Sequence, residues 1–418
     1  MFISYHNKYR IISGVSDKYF EMAGHTIKEV PNMSKTDKYK IIGTRIDGHL
    51  PKKEVKDLRV ACICNWNDAC GISTYTRFLM EEIQSKVKDV LIISEQNDSP
   101  THPDSDKIRR CWKRGESMKE AMSVLKEWNP DFVIVQHEFG IFPKATYFLH
   151  MLQVLREYNY VVTLHSVYEH LDKTISTSAF DNILVHTELG KKCLRDLGHN
   201  QNIFVVPHGC LKFDKVDELW NAFQTPYSLI QFGFGFFYKG VDRAIDAVYH
   251  LKSTDEKFKD IFYCYLCSDS GHFNSVFNDY YYYLMDKIEK LGLQDNVSII
   301  RKFHTEQTIN NYLRCAKIAL FPYVTNPKHV VYGASGAARV AMANKIPVIA
   351  SEGHMFDDLE GIVPRPKDHI ELAKEIDEIF SNETHKANLM KRINNYVDTN
   401  TWSSVADKYL DIYSEIRK

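Results

Sequence analysis

The chain has 418 residues, of which 44% are hydrophobic, and its formal net charge is −1 at pH 7. That length exceeds one typical hydrophobic core and predicts two domains of ordinary size, while the balanced charge gives no reason to expect nonspecific binding to nucleic acid or an acidic membrane. The nine cysteines are an odd number scattered along the chain, which indicates a reducing compartment rather than a disulfide framework.

The first 57 residues precede any convincing buried strand and carry eleven Lys and Arg against seven Asp and Glu. We expect residues 1–57 to be an N-terminal extension packed on the first domain; the alternative is a small appendage that holds an acceptor or a partner. The start of the chain lacks the apolar core of a signal peptide, and no apolar run approaches the ~20 residues of a membrane span. A cytoplasmic location without a transmembrane segment is therefore expected.

The first domain, residues 58–215, is predicted from a regular alternation of buried strands and amphipathic helices. This alternation is typical of a doubly wound parallel sheet. Strands are expected at 58–64, 90–94, 132–136, 160–164, 183–186 and 203–206, and helices at 73–83, 117–128, 144–157 and 188–197. A polar stretch at 210–226 that contains a proline marks the domain boundary.

Four of these strand ends carry a histidine, namely His137, His165, His186 and His208. Ligands of open α/β sheets bind beyond the carboxyl ends of the strands, so these imidazoles are expected to line one crevice. Each of them alone is equally typical of a loop or near-core position. A single metal site built from all four is not expected, because neighbouring strands lie ~4.8 Å apart whereas zinc needs ligands at ~2 Å. Two of them could still share an ion.

The same alternation restarts after the boundary and predicts a second parallel-sheet domain over residues 216–400. Strands are expected at 228–233, 261–267, 297–300, 317–321 and 346–350, and helices at 240–252, 277–291, 306–314, 335–344 and 369–380. Two such domains in tandem create a cleft between facing strand ends. Within the terminal segment 401–418, residues Trp402 to Ile416 form a strongly periodic helix, which is expected to pack back across the domains as a strut.

Cysteine spacing adds one candidate site, the pair Cys264 and Cys267. Because no second pair accompanies them and an apolar run surrounds them, they are interpreted as buried strand residues rather than as a zinc or redox site.

Two glycine-containing turns of the second domain have the chemistry of an anion site. The turn at 231–240 follows a strand, opens a helix and contains Gly235 and Lys239, which brings a cation near the positive end of that helix. The turn at 332–343 places three amides at a helix start, those of Gly333, Ser335 and Gly336. One helix end stabilises an exposed anion by only about 0.3–1 kcal/mol, whereas two with a lysine would bind a diphosphate usefully.

Both turns also have plainer interpretations, a solvated lysine in a glycine-rich turn and a helix packed through its small residues. A third turn, at 68–75 in the first domain, contains Gly71 and also joins a strand to a helix. It lacks GxGxxG, so a nicotinamide-dinucleotide fold has little support. A turn of this kind can instead approach a sugar or a phosphate across the cleft.

The order of these motifs resembles the retaining, two-domain GT-B glycosyltransferases of the large GT4 family, over roughly residues 58–418. The segments that carry the resemblance are VQHEFGIF at 135–142, VTLHSV at 162–167, VPHG at 206–209, GFGFFYKGVDRAIDAV at 233–248, LFPY at 320–323 and SGAARVAMANKIPVIAS at 335–351. The resemblance implies an α/β fold of two tandem Rossmann-like domains. It also implies transfer of a sugar, with retained anomeric configuration, from a UDP- or GDP-sugar to an acceptor hydroxyl, without a metal or other cofactor.

The resemblance further assigns roles to individual side chains. Lys239 is similar to the diphosphate-binding lysine of the family, and residues 333–336 are similar to the amides that receive the distal phosphate. The donor site is thereby expected to include Gly71, His208, Gly235, Lys239, Gly333, Ser335 and Gly336. The catalytic residues are expected to be His165 beside the transferred sugar, with His137 and Glu138, and Glu138 is the candidate acceptor of a proton from the acceptor hydroxyl.

The chain departs from the family pattern at two places. Many relatives carry Glu-x7-Glu, but Tyr332 and Val340 occupy the corresponding positions here. Many also have an arginine where this chain has Phe234. The first change removes a carboxylate that contacts sugar or ribose hydroxyls, and the second removes a phosphate-binding cation. Arg243 and Arg301 are the candidates to compensate for that cation.

The acceptor is expected to be a glycan. The alternative is hydroxymethylated DNA, because a Tyr-, Lys-, Asn- and Ile-rich composition and a basic N-terminal segment suit a phage-type enzyme that decorates modified bases. From other classes, the alternatives are a noncatalytic nucleotide-sugar-binding relative, given the two missing acidic positions, and a GT-B sugar epimerase. The sequence does not distinguish the sugar, the nucleotide or the oligomeric state.

Overall fold

The computed structural model describes residues 53–169, 180–212, 223–268, 274–302, 304–326 and 330–417, and the backbone of four short strands near the N-terminus. Those strands form two antiparallel pairs, β1 (Tyr5–His6) with β2 (Tyr9–Arg10) and β3 (Phe20–Met22) with β4 (His25–Ile27). Residues 1–52 and 53–418 are two separate compact units. Most of the predicted extension at 1–57, and the predicted boundary at 215/216, lie outside the described residues.

The first sheet has seven parallel strands: β5 (Arg59–Cys64), β6 (Asp89–Glu95), β7 (Ile108–Trp112), β8 (Phe132–His137), β9 (Asn159–Leu164), β11 (Asn182–Val185) and β12 (Asn202–Val205). They lie side by side in the order β12-β11-β9-β8-β5-β6-β7. The helices are α1 (Gly71–Gln84), α2 (Lys119–Trp128), α3 (Ala145–Leu155) and α4 (Glu188–Asp196). The central strands are buried along their whole apolar runs, as expected of a parallel sheet covered on both faces.

One strand of this sheet was not predicted. Strand β7 lies at the sheet edge and contains Arg109 and Arg110, which break the apolar run by which buried strands are recognised. Arg110 is nevertheless accommodated, because its guanidinium pairs with Asp104 and donates to the carbonyls of Glu95 and Trp66. The edge position allows such side chains to reach solvent and loop partners.

The second sheet has five parallel strands: β13 (Ser228–Phe234), β14 (Phe262–Ser268), β15 (Val297–Arg301), β16 (Ile318–Phe321) and β18 (Val348–Ala350). They lie side by side in the order β15-β14-β13-β16-β18. The helices are α5 (Val241–Thr254), α6 (Asn274–Lys290), α7 (Glu306–Cys315), α8 (Gly336–Ala343) and α9 (His369–Ser381). Cys264 and Cys267 are buried residues of β14, as interpreted from the sequence. The two parallel sheets confirm the predicted fold class.

Two helices complete the chain, α10 (Glu383–Thr399), which was not predicted, and α11 (Trp402–Ile416), whose predicted bounds are confirmed. Helix α11 returns to the first sheet, as expected of a strut. The hydroxyl of its Tyr409 lies 3.0 Å from that of Tyr75 on α1 and 2.7 Å from Oγ1 of Thr163 on β9. None of the helices within the described residues has the length and hydropathy needed to cross a bilayer.

A short antiparallel ribbon connects the two halves. Strand β10 (Ser166–Tyr168), which follows β9, pairs with β17 (Val331–Gly333), which precedes α8, and Ser166 lies opposite Gly333. A Cβ atom on Gly333 would lie 2.7 Å from the carbonyl oxygen of His165, so only glycine allows the two segments to approach this closely. The ribbon thereby holds the carboxyl ends of the two sheets at a common cleft.

Candidate active site

A cavity of about 690 Å³ lies where the carboxyl ends of the two sheets meet. One wall comes from loops that follow β5, β6 and β12, and the other from segments that follow β13, β15, β16 and β17, with Trp402 between them. Five of the seven residues predicted for donor binding line it, namely Gly71, His208, Lys239, Ser335 and Gly336. The cleft predicted from two tandem sheets is therefore present and contains most of the expected donor site.

Lys239 and Ser335 meet at a single side chain on the second-sheet wall. Lys239 Nζ donates to Tyr323 Oη at 2.7 Å, and the same oxygen lies 3.2 Å from Ser335 Oγ. The ammonium group also lies 4.1 Å above the centre of the Tyr323 ring. No Asp or Glu of the described residues forms an ion pair with Lys239, so its charge is available to an anion.

The N-terminus of α8 lies beside this lysine. Ser335 is the N-cap, its amide donates to Met355 O at 3.1 Å, and its Oγ accepts from Ala338 N at 3.5 Å. The first amides of a helix have no intrahelical acceptor, so those of Gly336 and Ala337, both in the cavity wall, remain for a ligand within the described structure. The amide of Ser335, predicted to bind phosphate, is already engaged.

His208 faces the same helix end from the other half. Its Nδ1 donates to Gly209 O at 2.8 Å, which leaves the lone pair on Nε2. A Cβ atom on Gly336 would lie 3.0 Å from that Nε2, so the glycine allows the close approach. Burial, with the positive charge of Arg339 nearby, lowers the pKa of His208 to about 3. The imidazole is therefore a neutral hydrogen-bond acceptor in the cavity wall.

Gly235 and Gly333 do not line the cavity. Gly333 lies in the β10–β17 ribbon, and a Cβ atom on Gly235 would lie 3.1 Å from Cys267 Sγ and 3.5 Å from the ring of Phe277. Close packing therefore accounts for both glycines. The part that they were predicted to have in donor binding stays a prediction without support from the cavity.

His137, Glu138 and His165, the predicted catalytic residues, also lie outside the cavity lining. Glu138 accepts hydrogen bonds from Ser166 Oγ at 2.6 Å and from the Phe139 amide at 3.0 Å, and burial raises the pKa of its carboxyl group. This arrangement fixes the start of the β10–β17 ribbon. Their catalytic roles stay predictions from the resemblance.

His165 is held from inside the first sheet. His186 Nδ1 lies 3.0 Å from Val206 O and must donate to it, so His186 Nε2 accepts from His165 Nδ1 at 3.2 Å. His165 Nε2, which must then accept, lies 2.7 Å from Gln136 Oε1, while Gln136 Nε2 is buried without a hydrogen-bond partner. With that amide turned so that its nitrogen faces His165, donors and acceptors alternate along the whole chain. Burial and the neighbouring imidazoles hold the pKa of His165 well below its usual range, so it stays neutral.

His137 is packed among the rings of Phe139, Phe142 and Phe148, with centroid distances of 5.0, 5.6 and 4.5 Å. Its Nδ1 is buried without a hydrogen-bond partner, and burial lowers its pKa to about 3. The side chain acts as an aromatic core residue that cannot accept a proton without loss of stability.

Because His137 is buried in its neutral form, the stability of the fold should fall at acid pH, and His137→Phe should remove this contribution. The unfolded chain binds a proton at a pKa of about 6.5, so the wild type should lose about 2 kcal/mol from this one group as the pH falls from 7 to 5. Urea unfolding midpoints should show that His137→Phe loses correspondingly less stability than the wild type between pH 7 and pH 5. At pH 7 the variant should be as stable as the wild type. His150→Phe, at an exposed histidine of α3, is the control and should keep the wild-type pH dependence. An acid loss equal to that of the wild type in His137→Phe would contradict the argument.

Sequence reasoning missed two side chains of the cavity wall, Tyr323 and Arg339. Arg339 is only 1% exposed, donates to Ser335 O at 3.1 Å and pairs with Asp358, which also accepts from Tyr396 Oη at 2.7 Å. Burial by itself lowers the pKa of Arg339, but the charge and hydrogen bond of Asp358, together with the nearby Tyr396, outweigh burial and raise that pKa. Arg339 lies four residues after the N-cap Ser335, a spacing that brings its side chain back to the helix start and could have identified it.

The arginines of the cavity are not the two suggested from the sequence. Neither Arg243 nor Arg301 lines it, whereas Arg77 and Arg339 do. Arg77 on α1 pairs with Glu306 at the start of α7 and so joins the two walls.

The structure also shows what surrounds Tyr332 and Val340, which occupy the two positions that are acidic in many relatives. Val340 lines the cavity, and Tyr332 donates to Glu169 at 2.8 Å in the ribbon. Asp68 and Glu306 are the carboxylates of the lining within the described residues, and neither lies on α8. No group of three or more His, Cys, Asp or Glu in this part of the chain could hold a metal ion.

Residues 213–397, which form the second-sheet half of the cavity, match the model of a family described as glycosyl transferases group 1. Among curated protein sequences, none matches the chain. The trehalose-6-phosphate synthase OtsA aligns with a TM-score of 0.67 at 11% identity, covering 86% of this chain and 99% of its own. Sucrose-phosphate synthase from Thermosynechococcus elongatus aligns at 0.63 and 14% identity, covering 86% and 98%.

HepE (Alr3699) from Anabaena, in complex with UDP and glucose, aligns with a TM-score of 0.60 at 12% identity, covering 85% of this chain and 99% of its own. At such identities the likeness concerns the fold. The chain is similar over most of its length to two-domain GT-B enzymes, which confirms the predicted GT-B arrangement of two Rossmann-like halves.

Proposed function

We propose that this chain transfers a glycosyl group from a nucleotide-diphosphate sugar to an acceptor hydroxyl, with retention of the anomeric configuration. The observation that carries the proposal is the convergence of Lys239 Nζ and Ser335 Oγ on one hydroxyl, at 2.7 and 3.2 Å, beside the free amides of α8. The family match over residues 213–397 and the GT-B fold support it. HepE, which shares the fold, binds UDP, and we propose UDP as the first nucleotide to test here.

The chemistry of this wall suits a departing diphosphate. Negative charge develops on the bridging oxygen as the glycosidic bond breaks, and donors that are already in place stabilise it without reorganisation. Lys239 supplies a full charge, and a helix end in a partly buried site adds up to ~2 kcal/mol. The wall therefore lowers the barrier to loss of the nucleoside diphosphate, and it requires no metal ion to do so.

The first-sheet wall is proposed to hold the acceptor. Its lining residues in the described part of the chain include Asn67, Thr74 and Thr101, whose neutral polar groups are suited to sugar hydroxyls. Arg77 is its cation and is already paired with Glu306. A DNA acceptor would need several lysines or arginines along the phosphates, so these residues favour a glycan.

The proton acceptor in this proposal is Glu138. If it accepts the proton, Glu138→Gln should lower kcat by about 10²-fold or more, the usual effect of losing a general base. The thermal midpoint should stay near the wild-type value, because glutamine can still accept from Ser166. Glu157→Gln, at an exposed position of the same sheet half, is the control. Full transfer activity in Glu138→Gln would restrict this residue to holding the β10–β17 ribbon.

The whole proposal is tested by binding and product analysis. Thermal shifts with UDP, GDP and their glucose and mannose derivatives should identify a ligand, because a ligand that binds only the folded state raises its stability by RT ln(1 + [L]/Kd). Transfer from that donor to a panel of glycans and to hydroxymethylated duplex DNA identifies the acceptor class, and proton NMR of the product gives its anomeric configuration. An inverted product would overturn retention, binding without transfer or hydrolysis would indicate a noncatalytic relative, and an altered sugar without any acceptor would indicate an epimerase.

A further inference from the structure

Tyr323 occupies the centre of the proposed diphosphate wall; it ends the LFPY segment at 320–323, but the sequence assigned it no role. It follows β16, is 3% exposed and still lines the cavity. Its ring packs against Phe356, with a centroid distance of 4.8 Å, and against Tyr238, at 5.8 Å. These contacts hold the ring with its hydroxyl between Lys239 Nζ and Ser335 Oγ.

The chemistry of the partners indicates how the hydrogen bonds at this hydroxyl run. A lysine ammonium group donates and cannot accept, so Tyr323 Oη accepts from Lys239 Nζ at 2.7 Å. Between Tyr323 Oη and Ser335 Oγ, 3.2 Å apart, either hydroxyl can donate, but if Ser335 donated, the proton of Tyr323 would have no acceptor within the described residues. We therefore assign Tyr323 as the donor, and burial, which raises the pKa of Tyr323 to about 12, keeps that proton in place. Ser335 Oγ accepts from Tyr323 and from the Ala338 amide, so the serine proton is left for the cavity.

The polar groups that the second-sheet half contributes at this point consequently donate, whereas His208 Nε2 of the other half accepts. Lys239 retains ammonium protons, Ser335 presents its hydroxyl proton, and Gly336 and Ala337 present amides. Without the Tyr323 hydroxyl, the serine could turn its proton towards other acceptors and the lysine would lose its tether. Several converging donors, one of them with a full positive charge, favour an anion with several oxygens.

We propose that Tyr323 is the positioning residue that gathers the donors of the second-sheet half for a diphosphate, by tethering Lys239 Nζ and directing the Ser335 hydroxyl proton into the cavity. Phe234, which stands where many relatives carry an arginine, lies in the same lining. The inference rests on the proposed function and adds to it a specific recognition of the diphosphate group that does not depend on the base or the sugar.

Binding of inorganic pyrophosphate and of uridine, measured separately by calorimetry, tests this role. Tyr323→Phe retains the ring beneath the ammonium group and removes only the hydroxyl. It should raise the Kd for pyrophosphate about tenfold, as expected for one lost hydrogen bond to a charged group, and leave the Kd for uridine unchanged. A merely structural role would weaken both ligands equally, and that result would overturn the inference.

Ser335→Ala provides a second, independent variant in case Tyr323→Phe does not fold, and by itself it should raise the Kd for pyrophosphate while leaving the Kd for uridine unchanged; equal weakening of both ligands would count against the inference. Since Tyr323 acts partly through Ser335, the effects of the two substitutions on pyrophosphate binding should be less than additive in a double-mutant cycle, whereas additive effects would overturn the inference.

Lys239→Met separates this inference from the proposed function. If the wild type binds no pyrophosphate, the proposed function fails; if Lys239→Met abolishes binding while Tyr323→Phe and Ser335→Ala bind like the wild type, only the inference fails.

Discussion

Lys239→Met should lower kcat/KM for the nucleotide-sugar by about 10²- to 10³-fold, the usual effect of removing one preorganised donor from developing negative charge. Methionine preserves much of the aliphatic packing on Tyr323 and Tyr238 but carries no charge. Because no acidic side chain in the described structure pairs with Lys239, its removal leaves no buried carboxylate without a partner. We therefore expect a loss of activity with the thermal midpoint nearly unchanged.

Lys317→Met is the matched control for this change. Lys317 is exposed, precedes β16 and lies outside the cavity lining, so the same substitution there should leave kcat/KM within about twofold of the wild type, as is usual for surface positions. Initial rates over a range of donor concentrations separate kcat from KM. Activity within threefold of the wild type in Lys239→Met would show that the lysine does not contact the reacting diphosphate.

Arg339→Met should destabilise the fold by about 3–5 kcal/mol, because removing one partner of a buried ion pair leaves the other charge uncompensated. Asp358 lies beneath α8 with Tyr396 as its remaining hydrogen-bond donor. The charge and hydrogen bond of Arg339 help to hold the pKa of Asp358 below its usual value against the effect of burial. Loss of Arg339 therefore removes the interaction that keeps Asp358 ionised. The change should appear as a lower urea midpoint.

Adding Asp358→Asn to Arg339→Met tests whether the uncompensated carboxylate causes the loss of stability. Removing the uncompensated charge should recover part of the stability lost in Arg339→Met, whereas Asp358→Asn in the wild type should itself destabilise by leaving Arg339 unpaired. Lys192→Met is the surface control: its pair with Asp196 is exposed on α4, and such pairs contribute at most about 0.5 kcal/mol. A double variant no more stable than Arg339→Met alone would attribute the loss to packing of the arginine stem.

The strands and helices were largely predictable because their signals are local. The apolar run at 58–64 became β5 (Arg59–Cys64), and the periodic terminal segment became α11 at its predicted bounds. Helix α10 carried the same kind of signal, since Leu389, Ile393, Tyr396 and Val397 lie on its buried face at helical spacing. It was missed because polar residues dominate its composition. Strand β7 was missed because an edge strand does not need an apolar run.

The site was predictable only in part. Glycine-rich turns and strand ends indicated a cleft, and Lys239, Ser335, Gly336, His208 and Gly71 do lie around it. Gly235 and Gly333 have the same local signature, but close packing accounts for them, because a missing Cβ serves a backbone contact as well as a ligand. His165 ends a strand like His208, yet its two ring nitrogens face Gln136 and His186.

The sequence by itself determined two parallel sheets, a cleft between them and a lysine near a helix start, because hydrophobic periodicity and turn chemistry act over short stretches of chain. Only the tertiary structure decided which polar groups share the cavity. Tyr323 meets Lys239 across 84 residues, and the β10–β17 ribbon pairs Ser166 with Gly333. Contacts between segments so far apart depend on the packing of whole sheets, and no local pattern encodes the direction in which a side chain finally donates its proton.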